Sequence, residues 1–169
     1  MNTNTLAAAA VLSDADLLSR LHLLAALERE STAELVAHLA EFDARKLYLA
    51  EGYGSLFTYC TGALRLSEHA AYNRIEAARL VRKFPLVLGL LADGSVNVTT
   101  VRLLAPHLTA DNHREVLAEA TMRSKREIEA LIARLAPRPD VAASVRKLPG
   151  IPNRSQSEPA ALAAAPALD

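Results

Sequence analysis

The 169-residue chain has no tryptophan, only three phenylalanines and four tyrosines, and a single cysteine. Its 51% hydrophobic content is therefore mostly alanine and leucine, both strong helix formers. One thiol, Cys60, cannot close a disulfide within the chain; this fits a reducing cytoplasm, the expected location, where a lone cysteine is usually a small core residue. Charge of either sign is not in excess, with 19 Lys and Arg against 19 Asp and Glu. No global field draws the protein to nucleic acid or anionic lipid, so any such contact must rest on local charge. There is no run of about 18 uncharged apolar residues, which argues against an ordinary membrane span. The opening "MNTNTLAAAAVLSDADLL" has an apolar run but no basic segment before it, and acids follow at once, unlike a signal peptide.

No segment alternates with period two, and the helical period dominates. The expected fold is all-α: a multi-helix bundle of about seven helices, with a long N-terminal helix, a helix-turn-helix-like pair and a disordered C-terminal tail. Residues 1–12 read as a disordered lead, 13–136 as the helical domain, and 137–169 as a Pro/Ala-rich linker or tail holding six of the eight prolines. From Ser13, an N-cap candidate, Leu17, Leu21, Leu24, Leu35, Leu39 and Phe42 recur at helical steps, and no Gly or Pro intervenes before Gly52. This predicts one helix to about Glu51, or two with a break where Ser31 could cap anew. Acids outnumber bases there by four, so the segment is a poor phosphate binder. Further cap candidates are Ser55, Ser67, Asn97 or Thr99, Asp111 or Asn112, and Ser124 in capping-box order with Glu127, while Pro85 and Gly94 mark stops.

The stretch "LSEHAAYNRIEAARLVRKFP", Leu66 to Pro85, carries the main functional signal. On a helical wheel Ala70, Ala71, Ile75, Ala77, Ala78 and Val81 fall on one arc, and His69, Tyr72, Asn73, Glu76, Arg79 and Lys83 on the other. The outer row offers an amide, a phenol, an imidazole and cations, the groups a helix in a DNA major groove uses. From Arg65 to Lys83 five bases face two acids, in an otherwise neutral chain. A second basic patch, Arg123, Lys125 and Arg126, opens the last helix, where cations oppose the helix dipole and would suit bound phosphate. The competing readings are a solvated face and ion pairs with Glu119, Glu127 or Glu129; Glu76, in the middle of the outer row, would repel phosphate.

No metal or catalytic constellation is visible. The histidines at 22, 38, 69, 107 and 113 lack the i, i+4 spacing of a helical zinc site, one cysteine makes no thiolate cage, and there is no Gly-rich phosphate loop. No metal, no cofactor and no catalytic residue is expected.

The segment "LYLAEGYGSLFTYCTGALRLSEHAAYNRIEAARLVRKFPLVLGLLADGSVNVTTVRLLAPHLT", followed by "SKREIEALIARLAPRPDVAASVRKLP", closely resembles the N-terminal helical region of bacterial HNH endonuclease-like proteins of the DUF222 type (13E12 repeat). The resemblance spans roughly residues 13 to 149. It implies a C-terminal HNH module, whose paired histidines and asparagine hold a divalent metal for phosphodiester cleavage. After "RKLPG" this chain has a short Pro/Ala tail and no such constellation, so no catalytic residue is carried over. The leading expectation is a non-enzymatic helical module that assists association with double-stranded DNA. The alternatives are a protein-interaction module that self-associates through the long N-terminal helix, and a truncated remnant of an HNH nuclease.

Overall fold

A computed structural model describes residues 3–137, which contain eight α-helices and no strand. The Pro/Ala-rich tail expected over 137–169 lies outside the described residues except for Pro137. In order, the helices are α1 (Thr3–Ala10), α2 (Asp14–Ala44), α3 (Leu56–Gly62), α4 (Glu68–Lys83), α5 (Leu86–Ala92), α6 (Val98–Leu104), α7 (His113–Ala120) and α8 (Lys125–Leu135). Single 3-10 turns at Leu47–Leu49 and Ala105–His107 follow α2 and α6.

The starts follow local chemistry. Ser13, Ser67 and Asn97 each accept a bond from a backbone N–H in the first turn of the helix they open, and Ser55 and Ser124 complete reciprocal capping boxes with Thr58 and Glu127. Pro85 turns the chain out of α4, leaving Phe84 at φ −133 and ψ 81. Asn112 precedes α7 without capping it; its side chain instead accepts from the Thr109 N–H and donates to the His107 carbonyl.

Two expectations are corrected. Residues 1–12 were expected as a disordered lead, but Thr3–Ala10 forms α1; its four consecutive alanines have the highest helix propensity of any residue. The long helix is unbroken at Ser31 and stops at Ala44, seven residues short of Glu51. Lys46 there takes the left-handed conformation (φ 51), which no glycine or proline announces.

α4 lies at the centre. It packs against α2, α3, α5 and α6, while α2 also covers α5 and α6 carries α8. Ala71, Ala77 and Ala78 on α4 are fully buried, as are Val36 of α2, Cys60 of α3, Val87 of α5, Val101 and Leu104 of α6, Leu117 of α7 and Ile128 of α8. The small alanine side chains let neighbouring helices crowd this axis. Burial holds the Cys60 thiol above its ordinary pKa, with the Asp43 carboxylate adding to the effect, as for an inert core cysteine. Remote segments are tied together by the Met122 N–H donating to the Ser95 carbonyl at 2.8 Å and by the Phe84 and His113 rings, stacked 4.4 Å apart.

The chain leaves α5 through Gly94, which sits at φ 83; a Cβ added there would lie 2.7 Å from Cδ of Arg29 on α2. Gly94→Ala is therefore expected to destabilise the fold by about 1–2 kcal/mol, through backbone strain plus displacement of Arg29. Urea unfolding followed by circular dichroism checks this, and an unchanged midpoint would contradict it.

Candidate functional site

Two surfaces bear on function: the face of α4 carrying the polar row, and the N-terminal half of α2. On α4 the expected outward row divides. His69 and Tyr72 are exposed, and the Tyr72 ring rests 4.6 Å from that of Phe57 on α3. Asn73 was expected outside but is buried, at 4% exposure. Its Nδ2 lies 3.3 Å from Thr99 Oγ1, to which it donates, and 3.4 Å from His69 Nδ1; its Oδ1 is buried without a protein partner. The reason is tertiary: α6 lies against this side of α4 and buries Leu80 with it, so more than half of the helix circumference is inside. A major-groove contact through Asn73 is thus closed in this conformation. His69, Tyr72, Asn73 and Glu76 instead form, with Arg102 and Pro106, an open cleft of about 370 Å³. Neither Arg102 nor Pro106 stood out in the sequence, because nothing local reports that α6 closes this side.

The cations are mostly engaged. Arg79 donates to Asp43 at 3.2 Å and to Glu76 at 3.4 Å, and Arg82 reaches Glu41 and the Ala40 carbonyl, both at 3.4 Å. Arg123 donates to Glu127 at 2.8 Å and to the Glu119 carbonyl at 3.3 Å, Lys125 lies 3.7 Å from Glu129, and Arg134 pairs with Glu119. Of the eight residues singled out for DNA, Lys83 and Arg126 are exposed cations with no ion pair among the described residues. The described residues contain no group of three or more His, Cys, Asp and Glu side chains placed to hold a metal ion, and no helix long and apolar enough to cross a membrane.

The second surface is the stripe of the long helix that the sequence offered for self-association. Every buried residue of α2 lies in its second half: Ala33, Val36, Leu39 and Ala40. Before them Leu17, Leu18, Leu21, Leu23, Leu24 and Leu27 are 37–58% exposed. At 31 residues α2 runs about 46 Å, longer than the roughly 30 Å breadth of a small domain, so its first turns project beyond the helices that cover the rest. Leu17, Leu21 and Leu24 lie on the same stripe as Leu35 and Leu39, which the body does cover. Leu12, Leu23 and Leu24 also line an open cleft of about 670 Å³ between α1 and α2. The excess of helix length over body width is the sequence signal behind the self-association alternative.

At the start of α8, the Ser124 backbone N–H, the Arg123 guanidinium and the Ser124 hydroxyl hold the Glu127 carboxyl far down, at about 2 against an ordinary 4.5. A depressed carboxyl stabilises the fold fully above about pH 4.5 and loses that contribution as pH falls through about 2. The urea midpoint of Glu127→Gln should thus lie below that of the wild type at neutral pH, with the gap closing as pH falls through this window; a gap independent of pH would refute the assignment.

Comparison of the chain with family models, with curated proteins and with solved structures finds no match.

Proposed function

We propose that this chain is a non-catalytic helical interaction module that pairs with a second copy of itself through the leucine face of α2. The observation that carries the reading is the row Leu17, Leu21 and Leu24, flanked on either side by Leu18 and Leu27 and exposed on a helix whose further turns are core. The co-facial Leu17, Leu21 and Leu24 present an apolar strip on the order of 300 Å², an appreciable share of the roughly 800 Å² each partner contributes to a standard interface. Full burial of one leucine stabilises by about 1.5–3 kcal/mol, so covering these half-exposed rows on both copies provides several kcal/mol toward association. The absence of net charge removes the long-range repulsion that would oppose pairing of like chains.

Leu21 is central in the row and 57% exposed, so a polar residue there is compatible with the folded chain. Sedimentation should find a dimer at micromolar concentrations for the wild type, and Leu21→Asp should weaken it roughly 100-fold while helicity by circular dichroism is retained. A wild type that sediments as a strict monomer ends this reading.

Association with double-stranded DNA is the second reading, favoured by Lys83 and Arg126, which among the residues singled out for DNA are exposed cations that make no ion pair among the described residues. With only these two of the proposed contact cations free of ion pairs, binding is expected to be weak and salt-dependent, and Lys83→Glu with Arg126→Glu to abolish it. Titration of a labelled duplex at low and moderate salt decides, and affinity indifferent to salt would count against it.

A further inference from the structure

We infer that the partner copy's leucines seat in a specific receptor groove at the opposite end of the same helix, so that two chains exchange their α2 N-terminal halves in an antiparallel, two-fold pair; this rests on the self-association proposed above. The groove is an open cleft of about 330 Å³ lined by Leu35, His38, Leu39, Glu41, Phe42 and Arg45 of α2, with Leu47, Tyr59 and Leu64 opposite. Its floor is apolar and aromatic, with the Phe42 and Tyr59 rings 4.6 Å apart, and its edges are Leu47 and Leu64, 42% and 38% exposed. Nothing within the described residues fills it.

Two features commit the groove to a second copy. First, donor and receptor share one line: at 100° per residue Leu17, Leu21, Leu24, Leu35 and Phe42 stay within one narrow face of a single continuous helix. Second, the line is self-complementary when reversed. With the two-fold axis between Arg29 and Glu30, Leu24 meets the partner copy at Leu35 and Leu17 meets it at Phe42, while polar Glu28 and Ser31 face each other at the centre. An isologous interface of this kind closes at two chains, since each contact occurs twice.

A cysteine pair tests the register. Positions 24 and 35 are about 16 Å apart along one helix, too far for an intrachain disulfide, whereas the antiparallel register brings them together between chains. Cys60 is fully buried and can remain as it is. Under mild oxidation the double variant Leu24→Cys with Leu35→Cys is expected to give a covalent dimer as its main species, and each single variant and the wild type none. Cross-linking of Leu24→Cys alone, or none in the double variant while sedimentation still shows a dimer, overturns the register and leaves the self-association standing; a monomer by sedimentation removes both.

Discussion

The crowding of helices around α4 is the constraint on which the rest depends. Alanines at 71, 77 and 78 remove the bulk that would hold neighbours away, and α2, α3, α5 and α6 all lie against the helix. A helix so enclosed has little free circumference. Its polar residues are accordingly divided between a narrow strip in water and positions inside, and the guanidinium groups of Arg79 and Arg82 are drawn across to the acids Asp43 and Glu41 of α2. The same contacts that build the core thus neutralise much of the local positive charge that made α4 resemble a DNA-reading helix. With both arginines and Glu41 about half exposed, these pairs contribute more to orienting α4 on α2 than to stability.

Helix starts were legible residue by residue, because a cap is chemistry within four residues. Ser13, Ser55, Ser67, Asn97 and Ser124 all act where their spacing to the apolar stripe puts them. Ends without glycine or proline were not, and the stop of α2 at Ala44 depends on a left-handed Lys46 that no local pattern encodes. The assignment of Asn73 to the outer face failed for a different reason. A helical wheel supplies angles but not neighbours, and only the position of α6 decides that the Asn73 side is interior. The leucine row of α2 shows the same limit in reverse. Periodicity identified the stripe correctly from Leu17 to Phe42, but a stripe states that a face is apolar and not what covers it.

A helix that outruns its own domain has its apolar face divided between two duties. The C-terminal half, from Ala33 onward, is part of the core and stabilises the monomer, while the N-terminal half contributes little to the fold of a single chain. Such a division means that changes in the N-terminal half bear little on the stability of the body, which rests on the turns from Ala33 onward.

The missing tryptophan gives the tyrosines an unusual monopoly. Tyr53 and Tyr59 meet edge to face at 5.2 Å, Tyr48 reaches the same cluster through Phe42, and Tyr72 rests on Phe57 from the other side of α3. All near-ultraviolet absorbance and intrinsic emission from tyrosine therefore originates around one short helix, beside the cleft formed with the end of α2. The molecule carries a built-in optical probe of that single corner, blind to α8 and to the projecting turns of α2, and able to register any event there without a dye.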